Sequence, residues 1–173
     1  MNEDDANDVC RDAWRLIRNK TFHDWTGLPA ACSYGDFDEA FERMGEEYGR
    51  NTLGSGKLRT RYRTYTADEY EEPLKVWFRD DDLVLIEISY PELPYPGTDL
   101  LDRLGEPDDR LDYELDVIEI EGGAWIYPPR GIALFLDAGK ERVMRISLFR
   151  SCSPAEYAAE IRRDTSVREF PLE

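Results

Sequence analysis

Two similar stretches, AFERMGEEYGR at Ala40 to Arg50 and LLDRLGEPDDR at Leu100 to Arg110, stand sixty residues apart. Superposed, Arg43 falls on Arg103, Gly45 on Gly105, Glu46 on Glu106 and Arg50 on Arg110, while Phe41 and Met44 fall on Leu101 and Leu104. In each copy apolar residues three apart precede a glycine, the order expected of a short amphipathic helix and its stop. The pair therefore reads as a duplicated unit whose copies both open on a helix.

Working outward, Ser33 or Asp36 can cap the first of these helices, with Phe37, Ala40, Phe41 and Met44 on its buried stripe and Gly45 and Gly49 ending it. LRTRYRTYT, residues 58 to 66, has the β-branched and aromatic content of a strand. Leu74, Val76 and Phe78 alternate with Lys75, Trp77 and Arg79 in a second strand, and LVLIEISY forms a third with Val84, Ile86, Ile88 and Tyr90 on one face. The linker PELPYPG, residues 91 to 97, interrupts the sheet because three prolines cannot continue a strand. A second cycle follows: Thr98 as cap, Leu101 and Leu104, the stop at Gly105 and Pro107, then strands expected over 113–120, 124–127, 131–136 and 142–149.

The closing hairpins also align, now 58 residues apart, with Trp77 on Phe135, Phe78 on Leu136, Leu85 on Val143, Ile86 on Met144, Ile88 on Ile146 and Ser89 on Ser147. Two matches in the same order point to repetition rather than shared composition. The expected fold class is α+β, with two tandem repeats of a helix followed by an antiparallel meander sheet and an extra helix at each end. Residues 1–32 form an N-terminal helix and connector, 33–90 and 91–150 the two modules, and 151–173 a C-terminal helix and tail, all in one compact unit. The N-terminal helix is expected over residues 8–20, burying Val9, Ala13, Leu16 and Ile17 with Trp14 at the border. The C-terminal helix carries the capping-box pattern of Ser153, Pro154 and Glu156, a buried stripe of Tyr157, Ala158 and Ile161, and Arg162 and Arg163 near its end.

At 173 residues and 41% apolar content the chain can bury an ordinary core. Its 38 Asp and Glu against 22 Lys and Arg give a net charge of −16. Such a field repels nucleic acid and anionic lipid and speeds encounter with basic proteins. Only four of the cations are Lys, so adaptation to a saline host is an equal explanation of the acidity. Three cysteines, Cys10, Cys32 and Cys152, are an odd number without framework spacing, and no basic, apolar leader or long apolar run occurs. The expectation is a cytoplasmic protein with reduced thiols, binding neither membrane nor nucleic acid.

The chain contains a single histidine, His23, and no GxGxxG, GK[ST], CxxC or HExxH sequence. No catalytic residue, metal ligand or cofactor is assigned. LGSGK at residues 53 to 57 reads as a hinge, and Cys152 between two serines reads as a packing residue.

The helix LLDRLGEPD, the step Trp125, Ile126, Tyr127 and the hairpin IALFLDAGKERVMRISLF together resemble the modules of small outer-membrane assembly lipoproteins and, in tandem, the β-lactamase inhibitory proteins. That resemblance spans roughly residues 33 to 150 and implies two sheets joined into a concave surface that grips a protein. No leader and no paired cysteine set is expected in this chain, so residence outside the cytoplasm and β-lactamase as the target are not expected to carry over from those proteins.

If Val76, Phe78, Val84, Ile86, Ile132, Leu134, Leu136, Met144, Ile146 and Leu148 form the buried sheet face, the other carries Lys75, Trp77, Arg79, Leu83, Leu85, Phe135, Val143, Arg145 and Phe149. Large aromatics with arginine on an acidic protein have the composition of a binding hot spot, unless a terminal helix covers them. The candidate partner-binding set is Trp77, Arg79, Leu85, Trp125, Tyr127, Phe135, Arg145 and Phe149, with the acidic turn Asp80, Asp81 and Asp82. The expected function is that of a non-enzymatic immunity or inhibitor protein occluding a basic toxin or other enzyme with a sheet surface. The alternatives are an enzyme using carboxylates or Cys152 between the modules, and a structural adaptor of a salt-adapted organism.

Overall fold

The computed structural model describes residues 3–30, 32–33, 35–36, 44–53, 60–67, 74–79, 82–111 and 122–162. Helix α1, Glu3–Arg18, is followed by a 3-10 turn, Phe22–Asp24, and a connector. Four strands come next: β1 Met44–Leu53, β2 Thr60–Ala67, β3 Leu74–Arg79 and β4 Asp82–Ser89. Helix α2, Gly97–Leu104, then leads to β5 Asp109–Leu111, β6 Ala124–Tyr127, β7 Ile132–Leu136 and β8 Val143–Phe149. The chain continues into α3, Pro154–Glu156, which runs on as a π-helical turn, Tyr157–Ile161. The architecture is α+β. The eight strands form one antiparallel sheet in the order β1-β2-β3-β4-β8-β7-β6-β5, so β4 and β8 pair at a central seam.

The opening stretch behaves differently in its two copies. Leu100, Leu101 and Leu104 are buried on α2, and Gly105, at φ 78°, ends it while donating to Leu101 O at 3.0 Å. In the first copy Met44 to Arg50 belong to β1, so Gly45 and Gly49 stop no helix. They lie in a strand that pairs with β2 through two register shifts. The helical stripe from Phe37 to Phe41 lies outside the described residues, as does the strand expected over 113–120. The start of that helix is visible, because Gly35 and Asp36 are helical. Asp36 N donates to Ser33 Oγ at 3.2 Å, and Ser33 N donates to Asp36 Oδ2 at 2.8 Å. Thr98 is no cap. Pro96 occupies that position, and Thr98 is an exposed residue inside α2.

Register shifts also correct the two sheet faces. In the β3–β4 hairpin Trp77 pairs with Leu85 but Phe78 with Leu83, leaving Val84 as the extra residue; in β7–β8 Phe135 pairs with Arg145 but Leu136 with Val143, leaving Met144 extra. A bulge of this kind reverses the alternation beyond it. The main core therefore takes Leu83 and Val143 where strict alternation places Val84 and Met144, alongside Val76, Phe78, Ile86, Ile132, Leu134, Leu136, Ile146 and Leu148. Leu85 and Val143, aligned in sequence, face opposite sides of the sheet.

Cys10, Ala13, Trp14 and Ile17 of α1, Phe22 of the 3-10 turn, Trp25 and Leu28 of the connector, and the leucines of α2 close this core from one side. The buried stripe of α1 is thus turned by one residue from the expected one, and Val9 is 48% exposed. A disulfide joins Cys10 to Cys32 with their Cα atoms 5.7 Å apart, which corrects the expectation of reduced thiols. Parity could not reveal it, since two of three cysteines can pair as readily as two of two. No helix among the described residues is long and apolar enough to cross a membrane.

Candidate functional site

The sheet face away from α1 and α2 carries three of the aromatic positions expected to contact a partner, Trp77, Phe135 and Phe149. Cross-strand neighbours on one face of a sheet stand about 5 Å apart and form rows. One row runs Trp77, Leu85, Phe149. The next runs Lys75, Glu87, Ser147, Ala133, Ile126, and a third Ser89, Arg145, Phe135, Ala124.

The first row is buried in a second core. Trp77, Leu85 and Phe149 pack with Ala124, Ile126, Ala133 and Tyr157, with Cys152 and Ile161 at the margin. The Tyr157 ring lies 5.0 Å from that of Phe149. The C-terminal segment reaches this position because Ser153 begins α3 with a complete capping box: Glu156 N donates to Ser153 Oγ at 3.2 Å and Ser153 N to Glu156 Oε2 at 2.8 Å. The Ser153 N–H, with the Ser153 hydroxyl adding to it, holds the Glu156 carboxyl below its ordinary pKa. Trp77, Leu85 and Phe149, expected on an open sheet face, are instead buried in this second core.

Among the described residues, Glu87 and Ser147 are polar and buried on this face, directly opposite each other on β4 and β8. Trp77 Nε1 donates to Glu87 Oε2 at 3.3 Å, and the Lys75 ammonium stands 5.8 Å from the Trp77 ring centre. Phe135 and Arg145 are half-buried and stacked on one another, with the guanidinium carbon 5.7 Å from the ring centre. Cys152 is half-buried at the margin of the same second core. Desolvation, with the Glu156 and Glu160 charges adding to it, pushes its thiol up to about 11. A thiol protonated at neutral pH is a poor nucleophile, and burial, Glu156 and Glu160 all act in that direction.

The other candidates separate from this group. Trp125 and Tyr127 lie on the α2 side of the sheet. Tyr127 is buried and donates its hydroxyl to Gly105 O at 2.8 Å, and burial, opposed by the Arg110 charge, raises its phenol to about 12. Trp125 is half-buried under Arg110, whose guanidinium is 4.7 Å from the indole and pairs with Glu106. Asp82 forms an ion pair with Arg150. Arg79 stands opposite Asp82 in the β3–β4 register. Asp80 and Asp81 lie outside the described residues.

A surface that the residue-by-residue reading missed runs along α2 into β5. Asp99, Asp102, Glu106, Asp108 and Asp109 are all exposed, and Trp125 sits at its margin. Both arginines within the stretch turn to neighbours. Arg110 is held as described, while Arg103 Nη1 contacts His23 Nε2 at 3.3 Å and its guanidinium covers the Tyr95 ring at 6.0 Å. The signal was present in TDLLDRLGEPDDR. Burying Leu100, Leu101 and Leu104 leaves the acids of a short helix facing water. Among the described residues no group of three or more His, Cys, Asp or Glu side chains is arranged to hold a metal ion. No protein-family model matches the chain, and neither the curated proteins nor the solved structures include a match to it.

Proposed function

We propose that the protein is a non-enzymatic acidic binding protein of the immunity or inhibitor kind, occluding a basic toxin or other enzyme. The observation that carries the reading is the exposed acidic strip from Asp99 to Asp109 with half-buried Trp125 at its edge. In a chain of net charge −16 this strip steers a cationic partner, and Trp125 with its stacked Arg110 supplies the anchor that slows dissociation. Recognition on this reading belongs to the α2–β5 edge, with Phe135 and Arg145 as a secondary contact on the opposite face.

The same reading treats the chain as a tandem duplication. Supporting it are the mirrored strand order about the β4–β8 seam and the bulges at matching positions, Trp77 to Phe78 and Phe135 to Leu136. Two fused meanders make a sheet wide enough to present one edge while the other remains far away.

The test is association kinetics with the purified product of the neighbouring gene. Replacing Asp99, Asp102, Asp108 and Asp109 by Asn should slow association about tenfold at low salt and flatten its salt dependence, since steering is screened within roughly 10 Å at 0.1 M salt. Trp125→Ala should instead speed dissociation. Binding with neither rate altered, or no binding at all, would overturn the reading.

A further inference from the structure

The connector between the 3-10 turn and Ser33 crosses the sheet where its two halves meet. Leu28 N donates to Phe149 O at 2.9 Å on β8, and the buried Trp25 Nε1 donates to Gly131 O at 2.9 Å just before β7. Further along, Ala30 O accepts from Arg150 NH2 at 3.1 Å, and the same guanidinium pairs with Asp82 at the start of β4. Ser33 itself forms an isolated antiparallel bridge with Asp82. The connector thus touches β4 on one side of the seam and β7 and β8 on the other.

It passes at very short range. A Cβ on Gly131, whose φ is 65°, would lie 2.1 Å from Phe149 O and 2.9 Å from the Cα of Gly27; one on Gly27 would lie 2.9 Å from Ser151 N. The crossing therefore needs glycine on both sides. The far end of the connector is tied to α1 by Cys10–Cys32, and both cysteines are almost wholly buried, at 1% and 2% exposure.

We propose that Cys10–Cys32 is a redox latch for this strap: oxidised, it clamps the connector across the β4–β8 seam, and reduced, it lets Cys32 and Ser33 lift away from β4. The exchange is balanced by ordinary thiol chemistry. Two equivalents of a small thiol yield the two cysteine thiols and one external disulfide, and the reverse reaction needs a disulfide donor such as oxidised glutathione. The burial of both sulfurs makes strap opening a prerequisite for reduction, so the native protein resists reductant until the strap fluctuates open. The latched form is the form proper to an oxidising compartment, in place of the cytoplasm expected from the cysteine count. The proposal stands independently of the partner-binding reading.

The experiment uses the full chain. Protein labelled with a maleimide under denaturing conditions at lysis should carry one label, on Cys152, and three when it is reduced before labelling. Amide exchange compared between the oxidised protein, the dithiothreitol-reduced protein and the Cys10→Ala/Cys32→Ala variant should accelerate at least tenfold at Leu28 and at Ser33. Exchange at Ile126 and Leu134, in the β6–β7 hairpin, should change less than twofold. Three maleimides without reduction, unchanged exchange at Leu28, or equal acceleration in β6 and β7 would each overturn the latch.

Discussion

Replacing Trp77 by alanine separates the two roles that its position on the sheet allows. As a core residue it loses the burial of a large aromatic, roughly 150–250 Å² at about 25 cal/mol per Å², or about 4–6 kcal/mol as an upper bound. Measured truncations of buried Phe and Trp cluster at about 3–5 kcal/mol. The structure adds to the cost, because the indole N–H donates to the buried carboxylate of Glu87, which would lose that donor, and because Leu85 lies directly across from it with Phe149 beyond. At about 2–4 °C per kcal/mol for a chain of this size, Trp77→Ala should lower Tm by about 6–20 °C. Trp77→Phe keeps most of the packing and loses only the hydrogen bond, and should cost about 1–2 kcal/mol. Calorimetry on the two variants, with partner affinity measured well below their transitions, decides the matter. An exposed anchor would leave the unfolding free energy within about ±0.5 kcal/mol of the parent and weaken binding alone. A Tm for Trp77→Ala within about 2 °C of the parent would refute its assignment to the second core.

Cys152 should react slowly with iodoacetamide at pH 7.5 and progressively faster toward pH 11, because its thiol is held up to about 11 mainly by desolvation; a rate equal to that of a small free thiol at pH 7.5 would contradict its placement. The linked stability has the corresponding sign. The folded state keeps a proton that the unfolded chain has begun to release, so stability should fall as pH rises from about 9 toward 11, in urea melts that Cys152→Ala makes flatter over that window. Tyr90 is 50% exposed at φ 51°, a conformation that costs a side-chain-bearing residue about 1–2 kcal/mol, so Tyr90→Gly should raise Tm by a few degrees; a lowered Tm would mean that its side chain packs more tightly than its exposure indicates.

Much of the architecture was legible in local patterns. β3 lies where alternating Leu74, Val76 and Phe78 put it, the three-proline linker separates the halves, and Ser153 with Glu156 makes the capping box that the spacing implies. These features depend on side chains two to four residues apart, a range over which sequence reports geometry directly. The resemblance of AFERMGEEYGR to LLDRLGEPDDR was real as sequence yet unreliable as secondary structure, since Met44 to Arg50 are drawn into a strand by pairing with β2. Periodicity within eleven residues carries no information about a neighbour that arrives later in the chain.

What only the tertiary structure decided concerns contacts between distant segments. Bulges exchange Val84 for Leu83 and Met144 for Val143 in the main core, a choice made jointly by two paired strands. The C-terminal segment brings Tyr157 onto Phe149 and turns Trp77 from a surface expectation into a core residue. Cys10 meets Cys32 because α1 and the connector fold back on the same side of the sheet. Hydropathy pattern marks a residue as apolar without naming its cover. Burial belongs to the pair of surfaces that meet, and only the folded chain contains both.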